Sequence, residues 1–555
     1  MNYSKHVEAT QREPLPGQVP NSAGGFTFPV DDWTRLDRFL VLGSEAGSYY
    51  ATERALTKEN AAAVLRCLAQ DGLRVVRRIV EISDAGRAPK NDPALFALAL
   101  AAKFGAGGST THVDEDVATR KAALEALPRV ARIGTHLFHF AANVKALGGW
   151  GRGTTRAFAR WYTEMAPEKL ALQAIKYQQR DGWSHRDLLR KAHPKASALP
   201  LATGAILNWM VKGWSPEVLA LPHPETMMSG PCLQIWAFEK ARTARGAELI
   251  RLIEEYGLPH ECVPNDAKGD PKVWEAMLPA MGLTALVRNL AKMTAVGLLA
   301  PMSAAVRAVV ERLGDADQLK RARIHPLSLL MALRVYASGK GDKGALTWTP
   351  VQQVVDALDT AFYLSFKAVE PAGKRTLLAL DVSGSMRSPD IAGMSGISPA
   401  VGSAAMALVT ANVERDHHIM GFTGGPSPTM WGPRTGGISA LAISSRQRLD
   451  AVMAYLAGVH AGGTDCALPM IWAAETKTPV DTFVVYTDSE TWAGNVQPVD
   501  ALRAYRQKMG IAAKLIVVGM VANEFTIADP NDGGMLDVVG FDAAAPAAMS
   551  DFSRG

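Results

Sequence analysis

Cysteine is scarce in this 555-residue chain: Cys67, Cys232, Cys262 and Cys466 lie far apart, with no C-x-x-C pair. That spacing argues against a disulfide framework or a zinc ribbon and predicts a reduced, intracellular protein. His260-Glu261-Cys262 offers zinc-type ligands, but nothing nearby in sequence completes a set of four. Long apolar runs are also missing. No segment approaches the roughly 20 uncharged apolar residues of a membrane helix. The first twenty residues carry Lys5, Glu8, Arg12, Glu13 and several prolines, without the apolar centre of a signal peptide. Together these absences predict a cytoplasmic protein with no membrane partner. Catalytic signatures are thin as well: there is no P-loop Lys-Ser/Thr motif.

The chain is too long for one ordinary core, so two or more domains are expected. Its net charge of +5 is unevenly spread. Residues 374–555 hold 13 Lys and Arg against 17 Asp and Glu, whereas residues 1–373 hold 46 against 37. The excess of positive charge in the first part suits a polyanionic partner. Residues 31–340 read as helical almost throughout, in segments punctuated by Gly, Pro or Asn-Asp, with little β-branched alternation. The pattern predicts an α-solenoid of HEAT-like hairpins. After residue 370, strand-like runs (Leu377–Leu380, Phe483–Tyr486, Lys514–Val518) alternate with helical ones (Ala404–Glu414, Leu449–Leu456, Val499–Lys508). That alternation predicts βα units around a parallel sheet.

The first of those strands runs into Asp381-Val382-Ser383-Gly384-Ser385, delivering one carboxylate and two hydroxyls to the carboxyl end of a sheet. Hard oxygen ligands on one short loop suit Mg²⁺ better than Zn²⁺. Gly462-Gly463-Thr464-Asp465 and Thr487-Asp488-Ser489 follow downstream, in order. The three pieces resemble the metal-ion-dependent adhesion site of von Willebrand factor A domains. The resemblance implies a divalent cation held by Ser383, Ser385, Thr464 and Asp488, with Asp381 acting through water or a hydrogen bond. Such a site would either accept a partner's carboxylate or serve structure alone. An enzyme is the least favoured reading, because D-x-S-x-S lacks the second carboxylate of a D-x-D phosphatase, and only His417-His418 could approach the serines as a base.

A basic constellation marks the helical part. Six Arg and Lys residues fall between Arg129 and Arg160 with no Asp or Glu. Within this stretch, Gly148-Gly149-Trp150-Gly151-Arg152-Gly153 offers backbone N–H groups ahead of a helix. Lys176 and Arg180 are spaced i, i+4, which predicts one helix face, with Gln173 a turn back. Ser184 and Asp187 then resemble a capping box for a second helix carrying Arg186, Arg190 and His193. This density suits phosphate contact and stacking on unpaired bases. A charged solvent face partly neutralised by Asp181 and Asp187 is the plainer alternative.

The stretch Lys176-Tyr177-Gln178-Gln179-Arg180-Asp181-Gly182-Trp183-Ser184-His185-Arg186-Asp187-Leu188-Leu189-Arg190 resembles the signature of the Ro autoantigen (TROVE) family. So do Arg35–Leu40 with Gly43-Ser44-Glu45, Thr135–Phe138, Gly148–Arg152, Val369–Arg375, the stretch 461–470 and Phe525–Pro530. The resemblance runs from about residue 24 to the C-terminus and implies a multidomain fold: a flexible segment 1–23, a monomeric HEAT-like helical ring over 24–370, and an α/β doubly wound von Willebrand A domain over 371–555. It implies a non-catalytic RNA-binding scaffold that takes small Y-like non-coding RNA on its outer surface and single-stranded 3′ ends of misfolded or decaying RNA in a central cavity. The resemblance further implies a partner 3′-to-5′ exoribonuclease of the polynucleotide phosphorylase kind, which bacterial relatives can tether through the Y RNA. Carried over by motif, Lys176, Arg180 and His193 would meet Y RNA, with Arg152 and Arg186 as weaker additions, and Arg132, Thr135 and His136 would line the cavity. Two positions depart from the family: Gly384 where Ala is frequent, and Ala192 where a hydroxyl residue is common. The alternative function is a Mg²⁺-dependent protein-interaction module on a helical platform, which leaves the acid-free stretch 129–160 unexplained.

Overall fold

The computed structural model describes residues 10–43, 53–105, 113–195, 199–221, 224–342, 344–366, 369–387, 391, 396–424, 437–459, 462–521, 523–542 and 544–555. Ser44 and Glu45 of one family motif, and residue 461 of another, lie outside the described residues.

From Asp32 to Leu364 the described chain is helical apart from short connections, one small hairpin and an isolated bridge. Helix Arg152–Thr163 shows how the basic faces arise. Thr154, Ala157, Phe158, Trp161 and Tyr162 are buried at the spacing of one helical face, while Arg152 and Arg156 stay exposed on the other. Each large apolar side chain buried in this way contributes roughly 1.5–3 kcal/mol. The long helix Glu53–Ala85 is two helices in series, broken at Asp71, whose carboxylate accepts from Arg74 N at 2.8 Å and so caps the second. Among the described residues no helix is long and apolar enough to cross a membrane.

The helical succession returns on itself. Gly86 lies against the side chain of Arg323, Asp84 pairs with Arg323 at 3.9 Å, and His325 Nε2 lies 3.0 Å from the carbonyl oxygen of Arg87. The end of helix Glu53–Ala85 thereby meets helices Ala316–Ala322 and Pro326–Ala337.

The described strands are β1 (Val19–Pro20), β2 (Phe26–Pro29), β3 (Gln179–Arg180), β4 (Trp183–Ser184), β5 (Thr376–Asp381), β6 (His417–Phe422), β7 (Ile438–Ala440), β8 (Thr482–Thr487), β9 (Lys514–Gly519), β10 (Phe525–Thr526) and β11 (Met535–Val539). Six of them form one sheet in the order β11-β9-β8-β5-β6-β7, parallel except for the edge strand β7. The central strands β5 and β8 are buried at every position, which is why they read as unbroken apolar runs. Leu378, Leu380 and Val484 face a core continuous with that of the helices. Leu377, Ala379 and Val485 face a second core on the other side.

The start of the chain corrects an expectation. Segment 1–23 was expected to be flexible, yet from Thr10 onward it is docked on the α/β domain. β1 and β2 join β10 in an antiparallel sheet, and Leu15 and Phe28 enter the second core. Polar Gln11 and Asn21 are buried there, held by hydrogen bonds that the composition of the segment does not reveal.

Candidate nucleic-acid interface and cation site

Lys176 is the last residue of helix Pro167–Lys176, and the single helix face expected for Lys176 and Arg180 does not form. The chain instead turns into the β3–β4 hairpin, with Asp181 (φ 51°) and Gly182 (φ 74°) both left-handed, as a two-residue turn of this kind requires. Arg180 is exposed on β3, whereas Lys176 is half-buried with its Nζ 3.5 Å from Glu261. Gln173 is buried and accepts from Gly134 N at 2.9 Å, so it serves the scaffold. The second helix is present as His185–Ala192, opened by the reciprocal Ser184–Asp187 capping box. Arg186 and Arg190 are exposed on it, and His193, also exposed, ends it with left-handed backbone (φ 44°). Arg152, exposed at the start of its own helix, follows Trp150. Trp150 lies 5.1 Å from Trp183, ring centre to ring centre, with Lys191 over the first ring and Lys145 over the second.

The acids of this face are already engaged. Asp187 Oδ2 accepts from Ser184 N at 3.0 Å and from its hydroxyl at 2.5 Å. Asp181 is held by His139 Nδ1 at 2.5 Å, with Arg180 Nε 3.8 Å from its other oxygen. The neutralisation proposed for Asp181 and Asp187 is therefore diverted in large part into local structure.

Arg132, Thr135 and His136 gather at the start of helix Gly134–Ala146, beside the place where the helical succession closes. Arg132 Nη1 donates to Ser83 Oγ at 2.7 Å. Burial, reinforced by the charge of Arg323, pulls its guanidinium down to about 10. His136 Nδ1 lies 3.4 Å from Asn91 Nδ2. Burial first, then the charges of Arg132 and His139, holds its imidazole near about 3, so it is neutral at physiological pH. His136 is thus equipped for stacking or a neutral hydrogen bond, and Arg132 for phosphate. Thr135 is half-buried in the same turn. Arg323, Ser83 and Asn91 were missed by sequence reasoning, since chain closure brings in the first from far away and no local motif marks the others.

The five proposed cation residues converge at the carboxyl ends of β5 and β8. All are buried: Asp381 ends β5, Ser383 and Ser385 follow it, Asp488 follows β8, and Thr464 comes from the loop between. Asp381 Oδ1 accepts from Ser383 N at 2.9 Å and its Oδ2 from Thr487 Oγ1 at 2.7 Å, which fixes the carboxylate behind the serines. Ser383 Oγ and Ser385 Oγ lie 3.1 Å apart. Thr464 is held by its backbone, its carbonyl accepting from Trp492 N and Ala493 N at 3.1 and 3.0 Å. Burial, then the neighbouring Asp488 charge, pushes Asp381 up to about 7, and burial raises Asp488 too. Thr464 Oγ1 and Asp488 Oδ2 are buried with no hydrogen-bond partner among the described residues. Two crowded carboxylates and orphaned oxygens are what a cation would satisfy. His417 lies at the opposite end of the sheet: it pairs with Thr376 at the start of β5, whereas Asp381 pairs with Phe422. It is not placed to activate Ser383 or Ser385.

Residues 19–213 and 259–334 match the TROVE domain, and residues 375–553 match the Ro60 vWA domain. The chain is 48% identical to the RNA-binding protein RO60 of Deinococcus radiodurans over 97% of its length and 96% of the relative's. The chain belongs to the RO60 family. It is also 36% identical to the RNA-binding protein RO60 of Caenorhabditis elegans, over 99% of this chain and 92% of the other. The crystal structure of the Deinococcus radiodurans RO (RSR) protein matches it with a TM-score of 0.67 at 46% identity, covering 95% of this chain and all of that one. The helical region with a C-terminal α/β domain is thus the arrangement of this RO60-family protein. Of its departures from the family pattern, Gly384 leaves room for a side chain: among the described residues an added Cβ would meet only Gly462 O, at 3.9 Å. Ala192 is buried in the helical core.

Proposed function

We infer that this RO60-family chain is a non-catalytic RNA-binding scaffold. The observation that carries the reading is the cationic face around Trp150 and Trp183, whose acids are held in a helix cap and a histidine pair. Lys176, Arg180 and His193, supported by Arg152 and Arg186, take the backbone of a small Y-like RNA. Arg132, Thr135 and His136 take a single-stranded 3′ end, phosphate to Arg132 and an unpaired base against the neutral His136. Phosphate contacts position the RNA and stacking favours unpaired segments, so shape and free ends matter more than base sequence. Its role is RNA quality control or decay alongside a 3′-to-5′ exoribonuclease. The relatives named as RNA-binding proteins support this reading.

The α/β domain fits a divalent cation. Ser383, Ser385, Thr464 and Asp488 would hold Mg²⁺ with Asp381 behind them, an all-oxygen set with two buried atoms that lack a hydrogen-bond partner among the described residues. The cation would supply a Lewis-acidic position able to take an acidic partner as a further ligand.

The test is a filter-binding titration of structured RNA with and without a single-stranded 3′ tail, at two salt concentrations, on wild type and on Lys176→Ala/Arg180→Ala. Salt-sensitive binding that strengthens with the tail and falls in the double variant is expected. Absence of binding to either RNA, or indifference to the substitutions, overturns the assignment and leaves the cation site with a protein partner as the leading function.

A further inference from the structure

The docked N-terminal strap grips the same two loops that carry Thr464 and Asp488. Gln11, fully buried, is the centre of that grip. Its Nε2 donates to Asp465 Oδ1 at 2.6 Å and to Val496 O at 2.9 Å, and its Oε1 accepts from Thr491 Oγ1 at 2.7 Å and Gly494 N at 3.0 Å. One side chain thus cross-links the residue after Thr464 to the loop that follows Asp488. Asn21 Nδ2 donates to Thr491 O at 2.8 Å, and Ala23 N donates to Glu490 Oε2 at 3.2 Å. At Gly25 the backbones approach so closely that a Cβ would overlap the Thr491 carbonyl, and a Cβ at Gly494 would overlap the Gln11 side-chain amide. Beyond Gly25 the strap becomes β2, pairs with β10, and leads into helix Asp32–Leu42 of the helical region.

We propose that Gln11 is a positioning residue for the cation site, and that cation binding and strap docking are thermodynamically coupled. The inference rests on the cation reading of Ser383, Ser385, Thr464 and Asp488. Among the described residues Thr464 and Asp488 have no sheet pairing of their own; Thr464 O joins the two loops through Trp492 N and Ala493 N, and the strap braces that junction from behind. A cation that bridges them from the ligand side favours the loop arrangement that the strap grips from behind. Linkage is reciprocal: whatever factor the docked strap adds to cation affinity, the cation adds to strap docking. Because the strap continues into helix Asp32–Leu42, the cation also steadies the seam between the domains.

The experiment uses the full chain. Mg²⁺ is titrated calorimetrically into wild type, Gln11→Ala, and Gly25→Ala, the last wedging the strap away without touching any cation ligand. Loss of a group bonded directly to a metal ligand costs about 10- to 100-fold in affinity; Gln11 stands one residue further out, so a loss of about 10-fold, the lower end, is expected in both variants with circular dichroism unchanged. In parallel, amide exchange of residues 10–29 in the wild type is followed with Mg²⁺ and with chelator, and Mg²⁺ is expected to slow it. This arm needs no variant, so it decides the matter even if the substitutions prevent folding. Wild type that binds Mg²⁺ with exchange of 10–29 unaltered, or folded variants with wild-type affinity, overturns the coupling. Wild type that binds no Mg²⁺ overturns the cation reading beneath it.

Discussion

His325 bridges the two ends of the helical region: its Nε2 lies 3.0 Å from the Arg87 carbonyl oxygen, 238 residues away in sequence, while its Nδ1 accepts from Leu327 N at 3.1 Å. Both bonds are satisfied at once by a neutral imidazole with the proton on Nε2. Arg87 in turn pairs with Asp542 of the α/β domain, so one residue pair joins three parts of the chain.

The pairing makes closure sensitive to acid. Burial holds His325 at about 4, below the ordinary 6.5. A depressed histidine stabilises the fold fully above pH 6.5, and the contribution is lost as pH falls toward 4, because the unfolded chain takes up the proton first. The shift corresponds to roughly 3 kcal/mol. In His325→Asn the side-chain oxygen still caps Leu327, but the bond to Arg87 and the titration disappear. Urea unfolding at pH 7 should show the variant less stable by about 1 kcal/mol, and by pH 4.5 the gap should close or reverse. A variant whose stability falls with pH as steeply as wild type would refute this role for His325.

Lys176 is restrained by Glu261, and that restraint should be measurable in RNA binding. RNA phosphate must compete with the carboxylate for the ammonium group, a pair worth roughly 0.5–1 kcal/mol at this exposure. Glu261→Gln should therefore tighten binding of a structured RNA by about two- to fivefold, and Lys176→Ala should abolish the gain. Filter binding at low salt checks both; an effect of Glu261→Gln that survives in the Lys176→Ala background would mean that Glu261 acts elsewhere.

Much of this was legible in sequence because the informative chemistry is local. β5 and β8 announce themselves as apolar runs, since strands buried on both faces need no alternation, and the Asp381–Ser385 and Thr487–Ser489 motifs stand at their carboxyl ends. The Ser184–Asp187 cap is likewise a three-residue spacing. What was misread depends on contacts distant in sequence or on backbone sign. Lys176 and Arg180 have helical spacing, yet Asp181 and Gly182 turn the chain left-handed, and Asp181 is stabilised there by His139, 42 residues earlier. β6, with His417 and His418 at its start, lacks the continuous apolar run that marks its neighbours, and β11 interrupts its own with Asp537, the partner of Arg38. The strap reads as flexible because two of its buried anchors, Gln11 and Asn21, are polar and Leu15 stands alone as an apolar one.

Chelation should expose the strain in the cation site. Asp381 and Asp488 are both buried, and Thr464 Oγ1 has no hydrogen-bond partner among the described residues. Mg²⁺ at a hundred times its dissociation constant would stabilise the fold by about 2.7 kcal/mol, read as a rise in Tm between chelator and Mg²⁺. Asp488→Asn removes one of the two charges and one of the proposed ligands. Its Tm should no longer respond to Mg²⁺, and in chelator it should match or exceed that of wild type. A Tm for wild type that is the same in chelator and in Mg²⁺ would leave the site without a structural cation.

Arg38 ties the two domains together with five hydrogen bonds. It emerges from helix Asp32–Leu42 almost completely buried, and its Nη1 donates to Asn523 O at 2.7 Å, Asn523 Oδ1 at 3.0 Å and Phe525 O at 2.9 Å. Its Nη2 donates to both carboxylate oxygens of Asp537, at 3.0 and 2.9 Å. A buried guanidinium is tolerated only because these acceptors surround it, so the cost of removal lies chiefly in what is left behind. Arg38→Ala strands a carboxylate and two carbonyls at the seam and should destabilise the protein by about 3–5 kcal/mol. Arg38→Met/Asp537→Leu removes both charges while keeping volume, and should recover much of that loss. The same comparison separates stability from recognition. Both residues lie far in sequence from the cationic face of Trp150 and Trp183, so the folded double variant should bind RNA with wild-type affinity. If it is stable but no longer binds, the seam itself takes part in holding RNA.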